Sequence, residues 1–428
     1  MTAKLTLAAV ALALAAPVAA EAQTFGPPST IAGFGNKPAL AQITGAAMSA
    51  NGAATIAGSS DDNRNGVDFR RAVLSRRGAP GQGFGPPSGA YDLAFASDPA
   101  GDAALTFSIG HVAYLTTCHG STCRTQRVGS SSLKPQSAVA VQPGSGRTIV
   151  MWRGRTSRGT NRLQWRVTTN GRLGATHTLG EFGDEPRLAT DASGMTIAVW
   201  LVDPRTHRFG VRTAARRVGE FVKPTSLTTA RAADARVVSS DSGETLAAWL
   251  AAGNASGADQ APSFIQVARR TRSTSFGPIL SMGQGSTLSL AVAPDGHGVL
   301  VTDRHVSPTA VVVKAARWLP GLVVNPLLDA SPPQFISDVY PATGAAATDG
   351  TVLVSWASGR DPSAPSEPTG VFANVSDAFG SFGSPQQLAD ERNATLPQPT
   401  GPAMASSRAL VAWTGPLGAQ VAQSSQPK

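Results

Sequence analysis

The feature that most constrains the fold is a short apolar segment, commonly ending in tryptophan, that recurs at intervals of roughly 50 residues. Five of the seven tryptophans in the chain occupy the last position of this segment. The clearest copies are Thr148–Trp152, Thr196–Trp200, Thr245–Trp249, Val352–Trp356 and Ala409–Trp413. Weaker copies end at Gly58, Phe107 and Thr302. A period of this length indicates that one structural unit is repeated along the chain.

Each repeat has the pattern of four β-strands. A strand that ends in Asp, Pro or Ser followed by Gly precedes the apolar segment, as in Pro186–Gly194 and Leu288–Gly296. A basic strand such as Ile265–Arg272 follows the apolar segment, and a Phe-Gly segment such as Phe276–Met282 ends the unit. No stretch shows a sustained apolar period of 3.6 residues, so the sequence predicts an all-β chain with essentially no helix.

Four short antiparallel strands per repeat are typical of the blades of a β-propeller. Counting the apolar segments predicts eight four-stranded blades; seven is the alternative because three copies are weak, and a pair of β-sandwiches ranks third. The tryptophan segments are apolar on both faces, as expected of a strand covered by a sheet on each side. Burial between blades is therefore expected for the five repeat tryptophans, and an aromatic platform for sugars is the alternative. These residues are Trp152, Trp200, Trp249, Trp356 and Trp413.

The two ends of the chain predict how the ring closes. A Phe-Gly-Pro-Pro segment begins at Phe25 and has the character of a fourth strand, although no first strand precedes it. The last repeat has a third strand at Ala419–Ser424 and then lacks a fourth. We therefore expect Phe25–Ile31 to complete the last blade and close the propeller ring.

The N-terminus has the pattern of a secretory signal peptide. Lys4 precedes an apolar run at Leu5–Ala16, and Ala20-Glu21-Ala22 fits the small-x-small cleavage rule. The apolar run is too short to span a bilayer, so we expect export without a membrane anchor. The predicted organisation is a signal peptide at 1–22, a single β-propeller domain at 23–424 and a disordered tail at 425–428.

Cys118 and Cys123 are the only cysteines of the chain, and they bracket a His-Gly-Ser-Thr loop. In an exported protein this spacing predicts a disulfide across the tip of a hairpin. A metal or redox site is the alternative, but no second cysteine pair is present to complete one.

One turn carries a motif that points to a family. The segment from Ser239 to Thr245 matches Ser-x-Asp-x-Gly-x-Thr through Ser239, Asp241, Gly243 and Thr245. This pattern resembles the Asp box of secreted sialidase-like (BNR-repeat) β-propeller proteins, mostly of unknown function. The resemblance implies that Asp241 caps a tight turn through backbone N–H groups. The box lies between the first and second strands here, whereas family Asp boxes lie between the third and fourth.

No catalytic set can be assigned from the sequence. A sialidase would need a tyrosine nucleophile paired with a glutamate, yet Tyr91, Tyr114 and Tyr340 have no recognisable glutamate partner. The alternative function, a glycoside-acting hydrolase or lyase with degenerate motifs, predicts carboxylates and arginines clustered at the mouth of the central channel. Carboxylates at the ends of first strands are the residues to inspect for such a cluster. They are Asp98, Asp191 and Asp295.

A second acidic segment resembles the start of a calcium-binding loop. Asp61, Asn63 and Asn65 place oxygen ligands at alternate positions, and Gly66 permits a sharp turn. The later ligand positions hold apolar residues, so a polar turn between the second and third strands of the first blade is the alternative. We expect no other cofactor.

The charge balance bears on the partner. The chain has 36 Lys and Arg against 27 Asp and Glu, a formal net charge of +9. Arginine pairs at or just after third strands predict a cationic rim that attracts anionic cell-wall polymer, polysaccharide or nucleic acid. They are Arg70-Arg71, Arg76-Arg77, Arg216-Arg217 and Arg269-Arg270. A solvated outer surface without a specific partner is the alternative. Specific nucleic-acid binding is not expected, because no aromatic-basic stacking motif occurs. We predict a secreted, monomeric, non-catalytic propeller that binds an extracellular glycan, cell-wall polymer or protein.

Overall fold

The computed structural model shows an all-β chain, with no helix among the residues that it describes. The described residues are 24–424 apart from 32–33, 35–41, 65–66, 77–81, 85–89, 132–134, 156–160, 170, 180–181, 203–209, 253–262, 272–274, 308–309, 321–325, 334–341, 359–369, 378–379, 391–397, 406–407 and 416–417. The strands form eight antiparallel sheets. The prediction of an eight-bladed β-propeller is confirmed. The predicted signal peptide and tail lie outside the described residues.

The first four blades follow one another along the chain. Blade 1 contains β2 (Gln42–Met48), β3 (Ala54–Arg64), β4 (Val67–Arg76) and β5 (Gln82–Phe84). Blade 2 contains β6 (Tyr91–Ser97), β7 (Ala103–Ile109), β8 (Val112–His119) and β9 (Thr122–Ser130). Blade 3 contains β10 (Ser137–Val141), β11 (Thr148–Arg155) and β12 (Asn161–Thr169), with β13 (Arg172–Leu173) and β14 (His177–Thr178) both paired to β12. Blade 4 contains β15 (Gly183–Thr190), β16 (Thr196–Val202), β17 (Val211–Arg216) and β18 (Thr225–Thr228).

The remaining blades repeat this order, and the last one also recruits the N-terminus. Blade 5 contains β19 (Ala232–Ser239), β20 (Thr245–Ala252), β21 (Ser263–Arg270) and β22 (Ile279–Gln284). Blade 6 contains β23 (Ser289–Val292), β24 (Gly298–His305), β25 (Val311–Trp318) and β26 (Leu328–Asp329). Blade 7 contains β27 (Thr343–Ala346), β28 (Val352–Ser358), β29 (Gly370–Val375) and β30 (Gln386–Asp390). Blade 8 contains β31 (Gln398–Ala405), β32 (Arg408–Gly415), β33 (Gly418–Gln423) and β1 (Ser29–Thr30).

The first strand of every blade lies innermost, next to the central channel. Inner strands of successive blades contact each other around the ring, and β31 of blade 8 contacts β2 of blade 1. Each inner strand pairs through one backbone edge with the second strand of its own blade and turns its other edge towards the channel. The channel is consequently lined by residues from all parts of the sequence.

The repeat tryptophans lie in second strands and are at most 1% exposed. Each packs against the preceding blade; Trp356, for example, lies in one apolar cluster with Val299 and Val313 of blade 6. Burial between blades, as the sequence predicts, is therefore observed. The indole N–H of Trp249 donates to Gln266 Oε1 at 2.8 Å, whereas the other four repeat indoles have no described acceptor.

The N-terminal segment closes the ring in the predicted place. Ser29 and Thr30 pair with Val421 and Gln420 of β33, and the Ile31 N–H donates to the Ala419 carbonyl at 2.8 Å. Phe25 forms a bridge with Ser424. These bonds supply the fourth strand that blade 8 lacks.

The predicted disulfide joins Cys118 of β8 to Cys123 of β9, with their Cα atoms 4.1 Å apart. The two cysteines are direct cross-strand partners, and His119 pairs with Thr122 at the hairpin tip. The described part of the chain contains no helix able to span a lipid bilayer.

Candidate functional site: the central channel

The turns between the first and second strands gather at one end of the channel, which we call the turn mouth. In these turns the carbonyl of the first residue accepts a bond from the N–H of the fourth, as Asp191 does from Gly194 at 3.0 Å and Ser240 from Gly243 at 3.1 Å. The fourth residue is usually a glycine with positive φ, a backbone conformation that is strained for a residue with a side chain. Six repeats share this glycine, at Gly52, Gly101, Gly194, Gly243, Gly296 and Gly350.

The carboxylates singled out at first-strand ends are committed to these turns. Asp98 Oδ1 accepts the Asp102 N–H at 2.8 Å, and its Oδ2 accepts the Gly144 N–H of blade 3 at 3.3 Å. Asp191 Oδ1 accepts the Met195 N–H at 2.9 Å. Asp295 accepts the His297 N–H at 3.1 Å and contacts the ring Nδ1 of the same histidine at 2.7 Å. Their carboxylates therefore stabilise backbone turns.

Asp241 does not cap its turn, so the role implied by the Asp-box resemblance is wrong for this residue. Ser240 occupies the capping position, where its Oγ accepts the Glu244 N–H at 3.2 Å. Asp241 is the second residue of the turn, and no described residue donates a hydrogen bond to its carboxylate. Burial raises the pKa of Asp241, and the charges of Asp191 and Asp98 add to the increase. The other box residues are structural; Ser239 Oγ lies 2.9 Å from Thr245 Oγ1.

The channel encloses a cavity of about 690 Å³ with two different walls. Blades 1, 6, 7 and 8 contribute small or apolar residues, including Ala46, Ala291, Ala346 and Ala403. Polar groups enter from the side of blades 2, 4 and 5. Among these are Asp98, Thr190, Arg236, Ser239 and Asp241.

The opposite end of the channel, which we call the bulge mouth, holds residues that sequence reasoning missed. The inner strands of blades 2, 4 and 5 each contain a β-bulge near their start. The bulges place Asp92, Glu185 and Asp234 at φ values of 50°, 46° and 45°. Within the described ranges these are the only residues other than glycine with positive φ, and all three are acidic. Such strain is characteristic of functional sites.

Two arginines accompany these acids. Arg236 Nη2 lies 2.7 Å from Asp234 Oδ1, and Arg187 Nη2 lies 3.8 Å from Glu185 Oε2. Burial lowers the pKa of the Arg187 guanidinium and the charge of Arg236 adds to this, while Glu185, Asp234 and Asp92 oppose it. One signal in the sequence could have found these acids, because each lies six positions before the first residue of the turn that follows.

The described calcium-ligand candidates lie in the second strand of the first blade. Asp61 and Asn63 are in β3, paired with Arg70 and Asp68 of β4, and Asn65 lies outside the described residues. No group of three His, Cys, Asp or Glu residues able to hold a metal ion occurs in the described ranges. Calcium binding at this segment stays a prediction.

Several arginines expected on a cationic rim are instead part of the fold. Arg216 and Arg270 are buried, and burial lowers the pKa of both. Arg269 Nε lies 2.6 Å from Glu244 Oε1, and Arg76 donates to the Gly101 carbonyl of blade 2 at 2.5 Å. Some described arginines of these pairs, such as Arg217, are exposed. The rim therefore carries less positive charge than the number of arginine pairs in the sequence indicates.

The two described tyrosines contact groups other than glutamate in the bonds and ring contacts that follow. Tyr91 donates to the Gly110 carbonyl, and Tyr114 stacks on Phe107 with ring centroids 5.5 Å apart. Tyr340 lies outside the described residues.

Comparison with known proteins adds solved structures of similar fold. No protein-family model matches the chain, and a search of curated proteins finds no match. Polysaccharide lyase Uly1 is 10% identical, with a TM-score of 0.45 over 85% of this chain and 94% of the lyase. YCF48, solved bound to D1 peptide, is 10% identical, with a TM-score of 0.43 over 95% and 97%. The Hadza microbial sialidase Hz136 is 10% identical, with a TM-score of 0.37 over 77% and 74%. Similarities of this size do not indicate what this chain binds.

Proposed function

We propose that this protein is a secreted, non-catalytic β-propeller that binds an extracellular ligand in its central channel. The observation that carries the proposal is the cavity of about 690 Å³, which combines an apolar wall with charged groups at both mouths. Concave sites with a few convergent polar groups are the usual form of ligand pockets. The carboxylates of Asp98 and Asp191 are engaged in turns and that of Asp234 in an ion pair, which suits binding more than proton transfer.

The compartment is part of the same proposal. The predicted signal peptide directs export, and the Cys118–Cys123 disulfide is of the kind that persists in oxidising compartments. An exported propeller meets glycans, cell-wall polymers and other secreted proteins, and these remain the partner classes that we propose.

Blocking the channel tests the proposal. Thr348 is exposed and lines the cavity at the turn mouth, whereas Ser145 is an exposed turn residue that does not line it. Wild type, Thr348→Trp and Ser145→Trp are screened against a printed glycan array and, by thermal shift, against a library of small organic ions. We expect Thr348→Trp to abolish binding that Ser145→Trp retains. Binding that is indifferent to Thr348→Trp, or no binding in either screen, would contradict the proposal.

A second function, glycoside hydrolysis or lyase chemistry, is favoured by one observation. The bulge mouth brings Asp92, Glu185 and Asp234 together with two arginines, which is the cluster that this alternative requires. The test is incubation with a panel of soluble polysaccharides, followed by assays for new reducing ends and for unsaturated products. Turnover that Glu185→Gln removes would establish the enzyme, whereas no product at long incubation supports the binding protein.

A further inference from the structure

The second residues of the turns form a ring around the turn mouth. In five described blades this position is neutral and lines the cavity, with alanine, proline or threonine. These residues are Ala50, Pro99, Pro143, Pro294 and Thr348. Blade 5 places Asp241 at the same position, so one carboxylate interrupts an otherwise uncharged ring.

Asp241 is held in place by its backbone and not by its side chain. Its N–H donates to the Pro294 carbonyl of blade 6 at 2.8 Å, which fixes the turn against the neighbouring blade. Its carboxylate accepts no hydrogen bond from a described residue, in contrast to the carboxylates of Asp98 and Asp191. The turn would therefore form equally well with a neutral residue, and the charge is available to a ligand.

A partly desolvated carboxylate without donors gains most from a cation that also donates hydrogen bonds. The negative charges of Asp98 and Asp191, which act on Asp241, strengthen the attraction for a cation at this mouth. A bare Ca²⁺ or Mg²⁺ would need about six oxygen ligands. The mouth offers one uncommitted carboxylate among prolines and alanines, so the geometry favours an organic ammonium group over a metal ion.

The cavity wall next to this carboxylate defines the rest of the ligand. The inner strands of blades 1, 6, 7 and 8 line it with Ala46, Ala291, Ala346 and Ala403. The small residues of these strands leave space for an unbranched aliphatic chain, and the apolar part of the cavity lining gives that chain a surface to cover.

We propose that the turn mouth binds a primary ammonium group carried on an aliphatic chain, with the Asp241 carboxylate accepting the ammonium N–H bonds. The chain lies along the alanine wall of the channel. This assignment rests on the proposed channel function, because it names the ligand class of the same site.

Isothermal titration calorimetry with simple amines tests the assignment. Butyl-, hexyl- and octylammonium are compared with hexanol and hexanoate, using wild type, Asp241→Asn and Asp349→Asn. Asp349 lies in the equivalent turn of blade 7 and bonds its own turn through Thr351, so it is the matched control. We expect wild type and Asp349→Asn to bind the ammonium ions, with affinity rising about fourfold per methylene. Asp241→Asn should weaken binding about tenfold or more, as loss of a charge-assisted hydrogen bond predicts.

The outcomes separate the two proposals. Saturable binding of hexylammonium to Asp241→Asn with unchanged affinity, or no binding to wild type, would overturn the ammonium assignment. If another ligand then binds in a manner that Thr348→Trp abolishes, the channel function stands without it. Far-UV circular dichroism and thermal unfolding establish that each variant is folded, and Asp241→Ser provides a second uncharged replacement.

Discussion

The side-chain amide of Gln386 in blade 7 holds both backbone polar groups of Phe25. Its Oε1 accepts the Phe25 N–H at 2.8 Å, and its Nε2 donates to the Phe25 carbonyl at 3.0 Å. These residues are 361 positions apart in the sequence. The N-terminal segment is thus tied to blade 7 as well as to blade 8, which spreads the closure over two blades.

Removing this amide should loosen the closure. Gln386→Leu leaves the partly buried N–H and carbonyl of Phe25 without partners, and we expect it to lower the free energy of unfolding by about 1–3 kcal/mol. Urea denaturation measures the change. The neighbouring Gln387 is exposed, so Gln387→Leu should stay within about 0.5 kcal/mol of wild type. Equal effects of the two substitutions would contradict the role of Gln386.

Two of the repeat tryptophans can be compared to measure how much an indole hydrogen bond contributes to the free energy of unfolding. Trp249 and Trp356 are both fully buried in second strands, but among the described residues only Trp249 has an acceptor, Gln266. We expect Trp249→Phe to destabilise the protein more than Trp356→Phe, by about 1 kcal/mol, because it also leaves Gln266 unpaired. Chemical denaturation of both variants measures the difference. A larger loss for Trp356→Phe would contradict this assignment of the hydrogen bonds.

The pKa of Asp241 links stability to pH. Burial, with the charges of Asp191 and Asp98, raises this pKa, so the folded protein holds the proton more tightly than the unfolded chain does. Above both pKa values the carboxylate costs stability, and Asp241→Asn should then be more stable than wild type. The difference should vanish as pH falls below the unfolded pKa of Asp, to about pH 3.

Urea denaturation at neutral and acidic pH measures this dependence. Thr348→Ala changes the equivalent neutral position in blade 7, so its difference from wild type should not vary with pH. A stability gain of Asp241→Asn that persists unchanged in acid would show that the carboxylate is not the cause.

The positive φ of Glu185 predicts an unusual response to glycine. A left-handed backbone costs a residue with a Cβ roughly 1 kcal/mol relative to glycine. Glu185→Gly should therefore be more stable than Glu185→Ala by about 1 kcal/mol. Because both variants lack the carboxylate, thermal unfolding of the pair isolates the backbone term. Greater stability of the alanine variant would contradict the bulge conformation.

The architecture could be predicted because it depends on features that repeat. Apolar segments ending in tryptophan mark second strands, since only a strand covered on both faces tolerates such residues. The extra strand segment at Phe25 and the missing fourth strand of the last repeat together predict that the N-terminus completes blade 8. The same reasoning gave the Cys118–Cys123 hairpin, where spacing alone brings the two sulfurs together.

The site could not be predicted to the same degree. The Asp-box pattern predicted that the Asp241 side chain caps the turn. The capping side chain belongs to the first residue of the turn, whose carbonyl accepts the N–H of the fourth residue, and here the first residue is Ser240. Asp92, Glu185 and Asp234 adopt positive φ because of β-bulges. These bulges arise from the register between first and second strands, which the sequence pattern does not specify. Arginine pairs look alike in sequence, yet packing between blades buries Arg216 and Arg270.

Closure of the ring by the N-terminal strand is tested most directly by a designed disulfide between Thr30 and Gln420. These residues are direct cross-strand partners, whereas Thr30 and Val421 are offset by one position and point to opposite faces. Mass spectrometry of oxidised, unreduced protein should find an intramolecular bond in Thr30→Cys/Gln420→Cys and none in Thr30→Cys/Val421→Cys. Free thiols or intermolecular dimers in the first variant would contradict the closed eight-bladed ring.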